Sequence, residues 1–244
     1  ASDVYKRQID LDMNSILTTE VFDLALVVGT YIAANILYKK THLSILHPLL
    51  TSIFVIILFL EAFDIPYESF KQGSHLVYFM LGPSVVALGY VLYNQMQYLK
   101  GNVVSILTSV FVGAIVGIVS VIAIGKLMGA DQPLIAPLQP KSVTTPIAMG
   151  IAEKNGGIPS LTAVIVVAVG IFGSIVGPAV MKVLGIESRI AKGLALGASS
   201  HGVGTAAAIQ IGAVEGALSG LAIGLMGIMT AILVPLISFI IQCF

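Results

Sequence analysis

Long apolar segments separated by short polar ones make up most of this chain. Four of them, residues 21–38, 103–124, 161–184 and 217–240, approach or exceed the about 20 residues that a helix needs to cross a bilayer. A fifth apolar segment, residues 47–60, is shorter and is followed by acidic residues. The pattern therefore predicts an all-α, polytopic membrane protein.

Helix-breaking residues interrupt another apolar segment, residues 75–98. Gly82, Pro83 and Ser84 lie within it, and proline disfavours helix at the residue before it. We expect a broken helix there, ending at Lys100. Further along, Pro133, Pro137 and Pro140 predict a stiff, non-helical connection.

Two segments, residues 140–160 and 193–212, combine apolar residues with polar, glycine and proline positions. Their sequences are PKSVTTPIAMGIAEKNGGIPS and GLALGASSHGVGTAAAIQIG. Polar groups at membrane depth are tolerated only against protein or a water-filled cavity. We therefore interpret both segments as broken or re-entrant helices that form a binding site, entered from opposite faces of the membrane. Basic residues at 39–40 and 182–192 place those ends of the spans in the cytoplasm.

The chain also contains an internal repetition. GAIVG at 113–117 recurs as GSIVG at 173–177, and a Ser-Val pair precedes each, at 84–85 and 142–143. We expect internal, inverted repeats of a broken helix and a span. Interrupted segments at matching places in two repeats mark the binding site of many carriers. The same glycine pairs also fit plain helix packing or a dimer face, and that alternative stays open.

The first candidate site lies at the start of the helical turn that runs toward Glu153. Ser142, Thr144 and Thr145 are at or just before this start, where free backbone N–H groups favour an anion, and Lys141 adds a full positive charge. The combination fits a small carboxylate. Alternatively, Ser142 or Thr144 is an N-cap and Lys141 an anchor at the membrane interface.

The second candidate site lies in the middle of residues 193–212. Its candidate substrate-binding residues are Ser199, Ser200, His201, Gly202, Gly204 and Thr205. The glycines let the backbone approach a ligand closely, and an imidazole at membrane depth could couple a proton to transport. Alternatively, His201 is neutral and hydrogen-bonded across helices. Glu153 is a second candidate proton carrier, or else forms a surface pair with Lys154.

Composition supports the membrane assignment and removes several other classes. Hydrophobic residues make up 57% of the chain and charged residues 10%, and the mean hydropathy is +1.01. The net charge is zero, so no nucleic-acid partner is expected. The single cysteine, Cys243, and four scattered histidines indicate neither a disulfide framework nor a metal site. No cofactor is expected, and no catalytic motif points to an enzyme.

Four sequence blocks together resemble the LrgB/CidB family. They are KSVTTPIAMG at 141–150, GGIPSLTA at 156–163, GLALG and SHGVGT at 193–205, and EGALSGLA at 215–222. The resemblance covers residues 13–244 as a single transmembrane domain, and we interpret residues 1–12 as a non-native leader. The resemblance implies a multi-pass protein of the bacterial inner (plasma) membrane. Bacterial members of the family are labelled antiholin-like or regulators of murein hydrolase export.

The functional implications of the resemblance are divided. Bacterial members act beside a small LrgA/CidA-type membrane protein, a plant relative is similar to a plastid glycolate/glycerate carrier, and some bacterial members are linked to pyruvate movement. The two polar broken segments favour a carrier for a small carboxylate such as pyruvate, glycolate or glycerate. The alternative is a non-transporting antiholin or holin-like scaffold or pore. A homo-oligomer is expected in either case.

Overall fold

Helices connected by short turns account for nearly all of the chain that the structure describes. The computed structural model describes residues 19–41, 43, 46–95 and 101–243, and none of these residues forms a strand. The chain divides into two compact units, with the boundary between Pro83 and Ser84. The helices of the described residues are α1 Glu20–Thr41, α2 Pro48–Ala62, α3 Tyr67–Gly73, α4 His75–Phe79, α5 Leu81–Gln95, α6 Val103–Leu127, α7 Gln132–Leu138, α8 Thr145–Lys154, α9 Pro159–Val183, α10 Arg189–Ile211 and α11 Ala213–Cys243.

The predicted long spans are confirmed as helices. Among the described residues, four helices are long and apolar enough to cross a membrane: Glu20–Thr41, Val103–Leu127, Pro159–Val183 and Ala213–Ile240. The helix α2 is apolar but has only 15 residues. The chain is therefore an all-α, multi-pass membrane protein.

In the first unit, α1 and α2 pack as an antiparallel pair. The rings of Phe22 and Phe59 lie 5.8 Å apart near one end, and those of Tyr38 and His47 lie 6.1 Å apart near the other. Helix α1 has acidic residues in its first turn and Lys39 and Lys40 in its last turn, which complements the helix dipole.

The interruption in residues 75–98 lies earlier than the sequence indicated. Helix α4 ends before Met80, and α5 begins at Leu81 and runs through Gly82, Pro83 and Ser84. Pro83 is in the first turn of α5, where its missing N–H has no intrahelical partner to lose. The end expected at Lys100 lies outside the described residues, as does the leader at residues 1–12.

The prediction of a non-helical connection after α6 is wrong, because residues 132–138 form the helix α7. Pro133 is in its first turn, where the fixed φ of proline favours helix. Pro137 comes near its end, so little of the hydrogen-bond ladder is lost. The side chain of Ile135 packs at Gly125, where its Cγ1 is 2.8 Å from the position that a Cβ would take.

Helix α10 is interrupted at Ser200 and His201, and its two halves fold back on each other. Both residues have non-helical backbone angles, and the φ of His201 is 41°. Gly204 is in direct contact with the carbonyl group of Leu196, although eight residues of straight helix would span about 12 Å. Residues 189–199 and 202–211 are therefore two antiparallel arms, called the first and second arm of α10 below.

Both arms of α10 run along the same half of α9. On the first arm, Leu196 packs at Gly177 and Ser200 at Gly173. On the second arm, Val203 packs at Gly170, and Ala208 shares an apolar cluster with Met181. The turn between the arms therefore lies beside the middle of α9, and both arms lie toward the C-terminal end of α9.

The segment from α7 to α8 also turns back within the second unit. Ile135 of α7 lies at the C-terminal end of α6, and Gly157 after α8 lies against Pro137. Between them, Lys141 reaches the middle of α6, where its Nζ is 3.9 Å from the Cβ position of Gly117. This segment leads from the end of α6 to the start of α9, whereas α10 follows the end of α9. The two turned segments are therefore connected to opposite ends of α9, the α7–α8 segment to its N-terminal end and α10 to its C-terminal end.

The first arm of α10 packs backbone to backbone on α11, and this contact yields a stability prediction. A Cβ on Gly197 would lie 2.8 Å from the Cα of Ser219, so Gly197→Ala should force two helices apart. We expect a cost of about 1–3 kcal/mol, measured as a lower thermal midpoint of the purified protein.

The control for this prediction is Gly150→Ala on α8, where a Cβ meets nothing within 4 Å. Alanine favours helix over glycine by about 1 kcal/mol, so this variant should be as stable as the original or more so. Equal midpoints for both variants would contradict the close packing of α10 on α11.

Candidate functional site

A cleft of about 450 Å³ brings together residues from both interrupted segments. Lys141 and Ser142 line it from the connection between α7 and α8, and Ser199 lines it from the end of the first arm of α10. The cleft extends along α6 from Ser109 to Gly117 and along α10 from Ala191 to Ser199. Apolar side chains form much of its wall: Val110, Val116, Leu194, Ala198 and Met226.

Lys141 is the charged group of this cleft. Its Nζ lies 3.4 Å from the Oγ of Ser142, and the side chain is only partly exposed. Within the described residues, the ion pair that forms is Lys71–Glu68, so Lys141 has no carboxylate partner there. A half-buried ammonium without a counter-ion is costly, and an anionic ligand would remove that cost.

The backbone around Lys141 forms a compact turn that fixes the position of its side chain. The amide of Lys141 donates to the carbonyl of Leu138, and that of Val143 donates to the carbonyl of Pro140. Val143 is 1% exposed and belongs to the main apolar cluster. This buried valine anchors the turn, so Lys141 and Ser142 face the cleft from a supported backbone.

Thr144 and Thr145 are at the predicted helix start but do not line the cleft. Helix α8 begins at Thr145, and Thr144 has the extended backbone of an N-cap residue. The Oγ1 of Thr144 makes no capping hydrogen bond, and it is buried without a hydrogen-bond partner. Side-chain capping therefore does not explain Thr144, and a role of either threonine in binding stays a prediction.

The two adjacent serines of α10 have different surroundings. Ser199 is exposed to the cleft, and its Oγ is 3.0 Å from the Oγ of Ser200. Ser200 is fully buried, and its Oγ occupies the space that a Cβ on Gly173 would need. Ser199 is therefore the accessible hydroxyl of the pair, held in place by a packed neighbour.

His201 lies at the turn of α10 and is directed at α9. It is 6% exposed, and its Nε2 is 2.9 Å from the carbonyl oxygen of Val166. Because a carbonyl only accepts, this nitrogen donates the hydrogen bond. The arrangement matches the alternative of a histidine bonded across helices, and proton coupling by His201 stays a prediction.

The remaining candidates of α10 support the turn. Gly204 fits against the Leu196 carbonyl, where no side chain could be accommodated, whereas a Cβ on Gly202 would meet nothing within 4 Å. The hydroxyl of Thr205 is 3.1 Å from the carbonyl of His201 and 2.7 Å from the Oγ of Ser219 on α11. Gly204 and Thr205 therefore support the conformation of the segment from which Ser199 reaches the cleft, and a role of Gly202 stays a prediction.

Glu153 is placed apart from these residues, on the exposed last turn of α8. Within the described part of the chain it forms no ion pair with Lys154. Its role as a proton carrier stays a prediction. No three His, Cys, Asp or Glu side chains of the described residues are grouped as metal ligands would be.

Two glycines of α6 line the cleft although the sequence did not single them out as site residues. Gly113 and Gly117 were interpreted as a helix-packing pair, but a Cβ on Gly113 would meet nothing within 4 Å. The repeated GxxxG spacing was visible in the sequence. Whether such a pair faces a helix or a cavity depends on tertiary packing, which the spacing does not show.

The helices, the four candidate spans and a largely apolar cleft with a few polar side chains define a multi-pass helical membrane protein with a ligand-sized site. Residues 27–240 match the model of the LrgB-like family, and the chain belongs to this family. No solved structure matches the chain significantly.

Its relatives extend over nearly the whole chain. The uncharacterized proteins YxaC and YwbG of Bacillus subtilis are each 37% identical, over 215 and 220 residues; these alignments cover 88% and 90% of this chain and 94% and 98% of the relatives. The antiholin-like protein LrgB of Bacillus mycoides is 30% identical over 219 residues, which is 89% of this chain and 95% of that protein.

The hydrogen bond between Thr205 and Ser219 gives a prediction about the turn of α10. We expect Thr205→Val to destabilise the protein, since it leaves the fully buried Ser219 hydroxyl without this partner. A double-mutant cycle with Ser219→Ala, followed by thermal unfolding, should give a coupling of about 0.5–1.5 kcal/mol. Additive effects of the two substitutions would show that the bond does not stabilise the fold.

Proposed function

We propose that this protein is a carrier for small monocarboxylates or hydroxy acids of the pyruvate, glycolate or glycerate type, located in the bacterial inner membrane. The observation that carries the proposal is the Lys141 ammonium, which has no carboxylate partner among the described residues and lines one cleft together with Ser142 and Ser199. These groups come from two interrupted segments that start from opposite ends of α9.

The chemistry of the cleft favours one carboxylate with a small remainder. Lys141 supplies one positive charge, and the two serine hydroxyls can bind further oxygens of a keto or hydroxy acid. Much of the remaining wall is apolar, with Val110, Val116 and Leu194 among its residues. A second carboxylate would be desolvated against that wall without a partner, which is costly. A monocarboxylate therefore fits better than a dicarboxylate.

The arrangement of the helices supports transport by alternating access. We interpret the α7–α8 segment and α10 as re-entrant hairpins that enter the bilayer from opposite faces and meet near its midplane. Non-helical backbone at this depth is tolerated because it is buried in protein or lines a cavity. Inverted repeats of this kind commonly place the site between them and move around it.

A second candidate function is an antiholin-like regulatory scaffold linked to murein hydrolase export. The name of the relative at 30% identity favours it. In this case an LrgA/CidA-like membrane protein would be the main partner, and the chain would act as a homo-oligomer or in a complex without transporting a solute. The polar side chains of the cleft would then have only a packing role, which leaves unexplained why Lys141 has no carboxylate partner among the described residues.

The proposal is tested by uptake of labelled pyruvate and glycolate into proteoliposomes, with and without the LrgA/CidA-like protein. We expect saturable uptake for the original chain and a reduction of at least about tenfold for Lys141→Met, because hydrogen bonds to charged groups contribute about 1.5–3 kcal/mol. Methionine keeps the length of the side chain and removes its charge.

The matched control is Lys126→Met, which removes an exposed lysine from the last turn of α6, outside the cleft. Its uptake should equal that of the original chain. Absence of uptake under every gradient, with the partner protein present, would reject the carrier and favour the scaffold.

A further inference from the structure

The internal repetition extends beyond the glycine pairs into the candidate site. A constant shift of 60 residues superimposes α6 and the segment after it on α9 and α10. The pairs related by this shift are Gly113 and Gly173, Gly117 and Gly177, Lys141 and His201, Val143 and Val203, Thr145 and Thr205, and Ala148 and Ala208. Lys141 and His201 are thus equivalent positions of two copies.

The two copies also have the same architecture. In each, a long span is followed by a segment that turns back beside the middle of that span, with Lys141 near Gly117 in one copy and His201 near Gly170 in the other. The α7–α8 segment leads into the N-terminal end of α9, and α10 follows the C-terminal end of α9. The copies are therefore related by inversion along the direction of the spans.

The second copy is closed around its glycines. The Oγ of Ser200 fills the position of a Cβ on Gly173, and the Cδ2 of Leu196 is 2.9 Å from the corresponding position at Gly177. The Nε2 of His201 is 2.6 Å from the Cβ position of Gly170 and donates to the carbonyl of Val166. No space for a ligand is left between this turn and α9.

The first copy is open around Gly113 and Gly117, the equivalents of Gly173 and Gly177. Among the described residues, a Cβ on Gly113 would meet nothing within 4 Å, and one on Gly117 would meet only the Nζ of Lys141, at 3.9 Å. The cleft of about 450 Å³ occupies this space. Two equivalent glycine pairs thus have opposite surroundings, one packed and one open.

We propose that the two copies exchange these conformations, an inference that rests on the proposed carrier function. In the second state, Pro140 packs on Gly113 and Ala136 on Gly117, as their equivalents Ser200 and Leu196 pack on Gly173 and Gly177 here, and the present cleft closes. The turn at residues 199–202 leaves α9 and opens an equivalent cleft toward the opposite face. His201, no longer bonded to Val166, then donates to the monocarboxylate in the position that Lys141 has here.

The glycines make this proposal specific, because a side chain has opposite effects at the two equivalent positions. Valine at Gly113 is accommodated in the open copy but prevents its closure, so it traps the present state. Valine at Gly173 collides with Ser200 in the present state and fits only when the turn of α10 has moved away. Reciprocal effects are not expected of glycines that serve helix packing alone.

The experiment measures the rate at which a membrane-impermeant maleimide labels Ala195→Cys, an exposed residue of the cleft, in sealed vesicles. The full chain carries Cys243→Ser, so that the reporter is the only thiol. We expect labelling from one face only. Gly113→Val should raise its rate, and Gly173→Val should lower it at least about fivefold, the lower limit for an overpacked site.

A second reporter makes the test independent of the folding of Gly173→Val. Ser200→Cys, which is fully buried in the present state and keeps the bond of His201 to Val166, should be labelled from the opposite face in the original background and protected by Gly113→Val. Gly150→Val, at a helical glycine with no described atom within 4 Å of its Cβ position, is the control and should change neither rate. Unchanged Ala195→Cys labelling in Gly113→Val, together with no labelling of Ser200→Cys from either face, would overturn the exchange.

The outcomes separate this inference from the proposed function. Saturable uptake that depends on Lys141, without reciprocal labelling, would leave the carrier and reject the exchange of the two copies. Reciprocal labelling without uptake of any tested monocarboxylate would retain the exchange and reject the substrate class. Failure of both experiments would leave the regulatory scaffold.

Discussion

A positive charge inside an apolar helical bundle must be compensated, and this constraint governs the arrangement around Lys141. Within the described residues no carboxylate pairs with its ammonium, and one serine hydroxyl is within hydrogen-bonding distance. The protein supports this costly group with a tight backbone turn and the buried side chain of Val143. An ionisable residue in such surroundings is a hypothesis for a functional site, and this is the basis of the proposal made for Lys141.

The spans were predictable from the sequence because hydropathy is a local property of a helix of about 20 residues. The prediction at α7 is wrong because the effect of a proline depends on its position in the helix. Pro133 and Pro137 are residues that usually break a helix, but proline in a first turn favours helix, and a helix as short as α7 loses few hydrogen bonds to a second proline. The break before α5 was misplaced by a few residues for the same reason, since Pro83 lies in a first turn.

The candidate site was predictable as a set of segments but not as a set of facing side chains. The polar positions singled out Lys141, Ser142 and Ser199 as candidates, and the structure places these three along one cleft, while their role in binding stays a prediction. Ser199 and Ser200 are adjacent and chemically identical, yet one lines the cleft and the other packs on α9. The backbone reversal at His201 decides between them, and a reversal of direction is a tertiary feature without a periodic signal in the sequence.

Helix α11 contacts both turned segments, and this has a mechanical consequence. Near its start, Ser219 is bonded to Thr205 of α10, and near its end, Ser238 is bonded to Gln139, just before Lys141. One continuous helix, with Pro235 inside it, thus connects the two turns. Displacement of one turn would pull on the other, so the two sides would not open together. A carrier built in this way would have protection against leakage within its own covalent chain, without requiring a separate gate.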